Sequence, residues 1–104
     1  MLIRVSSPGS DLSEGDVARI EKDLEKIDRR LGDHKQVTAE VRVSGVGGSP
    51  GYHVVLEVDY GRTHLRAKAD HGDLGQAVRE ARDDVLRQIN DRSRGGHSSY
   101  AKQR

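Results

Sequence analysis

Three stretches of this chain alternate apolar and polar residues, and a period of two dictates extended backbone with one dry face and one wet face. In QVTAEVRVS, residues 36–44, Val37, Ala39, Val41 and Val43 share one side against Thr38, Glu40 and Arg42. YHVVLEVDY, residues 52–60, sets Tyr52, Val54, Leu56 and Val58 against His53, Val55, Glu57 and Asp59. THLRAKAD, residues 63–70, sets Leu65, Ala67 and Ala69 against His64, Arg66 and Lys68. Such strands build a sheet that is solvated on one side and covered on the other. Gly61 marks the turn between the last two runs, and LIRVS, residues 2–6, adds a short first strand with Ile3 and Val5 inward.

The cover has to come from helices, and two segments have the required spacing. Ser13 followed by Asp16 approximates a capping box, with Leu12 placed to pack on Val17, and this predicts a helix over residues 13–31, ended by GDHK. At about 100° per residue, Val17, Ile20, Leu24, Ile27 and Leu31 fall within an arc of roughly 80°. Arg19, Lys22, Lys26, Arg29 and Arg30 occupy an arc of about 100° almost opposite, with Glu21, Glu25 and Asp28 on one flank and Asp23 on the other. Asp73 caps a second helix over 74–93, in which Leu74, Ala77, Val78, Ala81, Val85 and Ile89 recur at helical spacing. The resulting class is α+β, in the order β-α-β-β-β-α: a four-stranded mixed sheet with two helices packed on one face. A right-handed crossover through the first helix makes strands one and two parallel and leaves the other pairs antiparallel.

Length and composition bound what such a fold can do. The chain has 104 residues, no Phe or Trp and three Tyr, so one domain with an aliphatic core is expected over residues 1–93. With no cysteine, disulfides and thiolate metal sites are excluded. There is no run apolar enough for a signal peptide or a membrane span, and we expect a soluble cytoplasmic protein. The net charge is +1, from 18 basic and 17 acidic residues, so any case for nucleic acid rests on charge distribution. After Asp91 only basic charges remain, and residues 94–104 are expected to form a flexible basic tail.

Several kinds of chemistry find no support. His34, His53, His64, His71 and His97 include no i, i+4 helical pair, so no metal is expected. GVGGSPG shares only its glycine content with a phosphate loop, lacking the lysine and hydroxyl and leading into a strand, so a flexible hairpin loop is expected there. The carboxylates lie on charged faces or in turns, without the apolar surroundings that perturb a pKa, so neither an enzyme nor a cofactor nor a small-molecule substrate is expected.

The residues do carry a resemblance. IEKDLEKIDR, with Ile20, Leu24 and Ile27 and with Lys26 and Arg29 interleaved, is similar to the first helix of the ribosome hibernation-promoting factor family, also called the sigma-factor modulation family. HLRAKADHGDLGQAVREARDDVLRQI resembles that family's passage from last strand into last helix, through Asp73, Leu74, Ala77 and Val78, ending in Val85, Arg87, Gln88 and Ile89. The match spans about residues 1–93. Asp84 and Asp91 stand where members usually carry lysine, and Gly75 where they carry tyrosine or a similar residue. The resemblance implies binding in the decoding region of the small ribosomal subunit, where messenger and transfer RNA sit, and inhibition of translation during stasis. It reaches no second, dimerising domain, so a monomer is expected.

On that reading Lys22, Lys26, Arg29 and Arg30 form a stripe for rRNA phosphates, with Arg79, Arg82 and Arg87 from the last helix as a second set and Arg66 and Lys68 added from the sheet. Two accounts compete with it. The stripe has the composition of a solvated helix face, and Arg79, Arg82 and Arg87, interrupted by Glu80, Asp83 and Asp84, suit internal pairing. A chain of this fold with weakened RNA binding would instead be a protein-interaction module, while shape recognition of double-stranded RNA is a third possibility.

Overall fold

A computed structural model of the chain describes residues 1–7, 12–45 and 51–95. Its elements are β1 (Leu2–Ser6), α1 (Glu14–Asp23), α2 (Glu25–Arg30), β2 (Val37–Gly45), β3 (Tyr52–Tyr60), β4 (Thr63–His71) and α3 (Leu74–Gly95). The four strands form one sheet in the order β1-β2-β3-β4. β1 runs parallel to β2, with Val5 opposite Val41, and the other two pairs are antiparallel, as the crossover argument requires.

The alternating runs fold as their period dictates. Val37, Ala39, Val41, Val43, Val54, Leu56, Val58, Leu65, Ala67 and Ala69 are all buried on one face and meet the apolar stripes of the helices in a single core. Tyr60 joins them in phase with Val58, its ring meeting His34 edge-on with centroids 4.9 Å apart. Ile3, Val5, Val17, Tyr52 and Leu74 sit at the margin, half-buried. Each fully buried aliphatic side chain contributes on the order of 1.5–3 kcal/mol from water removal. The opposite face carries polar side chains into solvent.

The first helix departs from the expected single run over 13–31. It starts as the capping box predicts, with the Asp16 amide donating to Ser13 Oγ at 3.0 Å and the Ser13 amide to Asp16 Oδ2 at 3.2 Å. It then breaks at Leu24, whose ψ of −6° is far from the helical value near −42°. There the Ile27 amide donates to the Leu24 carbonyl at 2.9 Å, a tightened i→i−3 bond, while Leu24 N–H still reaches the Ile20 carbonyl at 3.0 Å. No Pro or Gly causes the bend. Leu24 is completely buried, and the guanidinium of Arg82 enters from α3 beside the Asp23 carbonyl, the kind of insertion that kinks a helix. The two segments act as one bent arm lying beside α3.

Asp73 caps α3 as expected, accepting the Gln76 amide on Oδ2 at 3.1 Å. α3 lies over β3 and β4 and runs to Gly95, two residues past the expected end at 93. The rest of the expected tail, residues 96–104, and the central residues 46–50 of the glycine-rich loop lie outside the described residues.

Candidate nucleic-acid interface

The outer ridge of the bent arm carries Lys22 in the last turn of α1 and, past the break, Lys26 and Arg29, which are three residues apart and share one face of α2. All three are exposed. None has a hydrogen-bonding or ion-pairing partner among the described residues. Glu21 and Glu25 are exposed beside them without forming such pairs, and Asp28 turns the other way, to the amino group of Met1 at 3.4 Å. A row of uncompensated cations bordered by carboxylates is an electrostatic track with defined edges.

The other expected contacts are dispersed by the fold. Arg30 belongs to the same arc on the helical wheel, but its Nε donates to Asn90 Oδ1 of α3 at 3.1 Å, which turns it toward the interhelical groove. Arg79 donates to Gln76 Oε1 at 3.1 Å and lies 3.9 Å from Asp23 Oδ2. Arg87 is held by Asp84 Oδ1 at 2.6 Å. Arg82 is 8% exposed, the one buried charged residue among those described. Its Nε donates to Asp83 Oδ1 at 3.0 Å, and its Nη1 lies 3.5 Å from the Asp23 carbonyl oxygen. Internal pairing, one of the two accounts weighed for these α3 arginines, therefore describes their geometry. Arg82 in particular belongs to the packing between helices and offers little surface to a phosphate.

Arg66 and Lys68 point outward from β4, on the side of the sheet away from both helices. They cannot share one flat contact with the ridge, since the domain lies between. Arg66 stands opposite Glu57, and Lys68 stands in a cross-strand row with Val55 and Arg42. Arg42 thus shares a row with Lys68, two strands away with Val55 between them, and strand alternation had placed both outward without linking them. Sequence reasoning also passed over Tyr52 and gave Arg19 no role apart from the stripe, although both line a cleft between the helices.

The sheet's solvated face holds two histidines in contact with carboxylates. His53 Nδ1 meets Asp70 Oδ1. His64 lies between two carboxylates, 2.6 Å from Asp59 Oδ1 and 3.1 Å from Glu57 Oε2. The hydrogen bond to Asp59, supported by the charges of Asp59 and Glu57 and opposed by partial desolvation, raises the His64 pKa above 6.5. No group of three or more His, Cys, Asp or Glu side chains among the described residues is arranged to hold a metal ion.

A family model described as sigma 54 modulation protein / S30EA ribosomal protein matches residues 3–94. The chain belongs to that family. Its members are ribosome-associated proteins, and the solved structures similar to this chain agree in fold. The N-terminal domain of Protein Y from Thermus thermophilus superposes with a TM-score of 0.75 at 23% identity, covering 86% of this chain and 96% of that one. A ribosomal subunit interface protein from Coxiella burnetii superposes with a TM-score of 0.79 at 18% identity, covering 90% of this chain and 99% of that one. No curated protein matches the chain. No helix among the described residues is long and apolar enough to cross a membrane.

Proposed function

We propose that this chain binds the small ribosomal subunit by laying the Lys22–Lys26–Arg29 ridge along rRNA phosphates, occupying the decoding region and so blocking messenger and transfer RNA during stasis. It acts in the cytoplasm as a steric plug, without cofactor or turnover. The observation that carries this reading is the absence of internal partners for the three ridge cations among the described residues, whereas Arg79, Arg82 and Arg87 of α3 each have one. Free cations release the counterions condensed on RNA, which gives binding that weakens steeply with salt. Family membership supports the ribosome as the partner.

The test is sedimentation of the protein with purified ribosomal subunits over a salt series. Co-migration with the small subunit that declines with salt, and is abolished when Lys22, Lys26 and Arg29 are changed to Glu, is the expected result. Salt-independent behaviour, or an intact association after charge reversal, overturns it. A second reading, a protein-interaction module that has lost RNA affinity, is favoured by the net charge of +1 and the internally paired α3 arginines. It predicts capture of a protein partner in place of the subunit.

A further inference from the structure

We infer that the cleft between α1 and the start of α3 receives one unstacked RNA base, laid against the ring of Tyr52. This rests on the ribosome reading and adds a specific contact to it. The cleft has a volume of about 430 Å³, within the range of roughly 300–1,000 Å³ in which small ligands are enclosed. Its apolar lining comes from Tyr52, Ile20 and Leu74. Tyr52 continues the inward phase of Val54, Leu56 and Val58, yet lies at the end of β3, where the helices cover it only partly. Tyr60, the other tyrosine among the described residues, is 8% exposed and committed to the core. Tyr52 is therefore the aromatic ring available for stacking.

The polar lining selects a base over a phosphate. Asp16, Asp23 and Asp73 face Arg19, Lys22 and Arg79 around the cleft, so its charge is balanced and a dianion would meet as many carboxylates as cations. A neutral heterocycle bearing both donors and acceptors matches such a lining. Asp16 and Asp73 each use Oδ2 to cap a helix, and their second oxygens remain as acceptors for a base amino group, the pairing that carboxylates make with cytosine. On the α3 side the lining side chains are those of Asp73, Leu74 and Arg79, and Gly72 and Gly75 between and beside them add none of their own. Lys22 belongs both to the ridge and to the cleft lining, so a strand whose phosphates follow the ridge passes the cleft, and splayed bases stacked on aromatic rings are the usual route to specific RNA recognition.

The experiment uses hexacytidylate RNA and an abasic ribose-phosphate hexamer of the same charge, titrated into isotope-labelled protein and followed by NMR. Hexacytidylate is expected to shift the Tyr52 ring and the Gly75 amide, while the abasic strand shifts signals along the ridge only. In small-subunit sedimentation, Tyr52→Leu is expected to weaken association about tenfold, on the order of one stacked base, and Tyr52→Phe to preserve it. Gly72→Phe adds bulk at a lining position where a new Cβ meets nothing within 4 Å, and is expected to reproduce the loss. Shifts confined to the ridge with hexacytidylate, or wild-type association for both Tyr52→Leu and Gly72→Phe, overturn the inference and leave the ridge reading standing. Failure of the wild-type protein to bind subunits overturns the ridge reading, and the oligonucleotide titration then decides the cleft by itself.

Discussion

Arg82 reaches from the middle of α3 to the break in the first helix, its Nη1 3.5 Å from the Asp23 carbonyl oxygen and 4.0 Å from Asp23 Oδ1. A cation at this point meets the carbonyl end of α1, where the backbone lacks some of its helical partners and the helix dipole is negative. The same guanidinium holds Asp83, so one side chain ties the position of α3 to the bend that sets Lys22 on one segment and Lys26 and Arg29 on the next.

Replacing Arg82 with Ala removes a largely buried donor and leaves polar groups of Asp23 without it. The expected loss is about 1–3 kcal/mol of stability, read as a lowered midpoint in urea denaturation. Arg79→Ala, at a more exposed position with a 3.9 Å ion pair, is expected to cost under about 1 kcal/mol. Equal losses for the two would show that burial of Arg82 has no special weight.

The strands were legible because a period of two converts directly into faces: Val41 and Leu56 are buried, and Arg42 and Lys68 exposed, for the same reason. That alternation, with helices on the dry face, already implied that Arg66 and Lys68 lie away from the first-helix ridge. The bend at Leu24 was not legible, since no Pro or Gly marks it and the guanidinium that meets the freed carbonyl comes from a side chain 58 positions later in the chain. Arg82 could have been read differently, because it lies four residues after Val78 and three before Val85, on the border of the apolar stripe. Charge alone placed it with the surface arginines. Arg30 shows the same limit, since its neighbour Asn90 is brought near only by tertiary packing.

The turn between β3 and β4 constrains Gly61 independently of the core. Its φ is +59°, a left-handed conformation that a Cβ disfavours by about 1–2 kcal/mol, and a positive φ at the first central position suits the hairpin turns that match strand twist. Gly61→Ala is therefore expected to destabilise the domain by about 1 kcal/mol, and Gly61→Asn by less, because Asn tolerates this region better. Thermal unfolding of the two variants checks the order. Since nothing lies within 4 Å of a Cβ at this position, a larger loss for Ala would have to come from backbone conformation.

His64 supplies a pH dependence whose sign follows from its raised pKa. A histidine that binds its proton more tightly in the folded state than in the unfolded one stabilises the fold fully below about 6.5, and this contribution disappears as pH rises through the folded value. Wild type and His64→Gln should therefore differ more in urea midpoint at pH 5.5 than at pH 9. NMR titration of the His64 ring should place its pKa above 6.5, and Asp59→Asn should lower it more than Glu57→Gln, since the hydrogen bond to Asp59 is the largest cause. An unshifted titration would mean that the 2.6 Å contact with Asp59 does not persist in solution.

The two cationic faces make opposite predictions for salt dependence. Each phosphate contact contributes about 0.7–0.9 to the slope of log affinity against log salt, so removing one contact lowers the slope by roughly that amount and weakens binding to all RNA sequences alike. Lys26→Ala is expected to lower the slope for small-subunit binding, because Lys26 stands mid-ridge with no internal partner among the described residues. Lys68→Ala, on the far side of the sheet in the row with Val55 and Arg42, is expected to leave it unchanged. Neither substitution touches the core, so both variants should melt within about 0.5 kcal/mol of wild type and the comparison isolates electrostatics. If Lys68→Ala lowers the slope and Lys26→Ala does not, the protein meets RNA with its sheet, and the uncompensated ridge on the bent helix is only a solvated face.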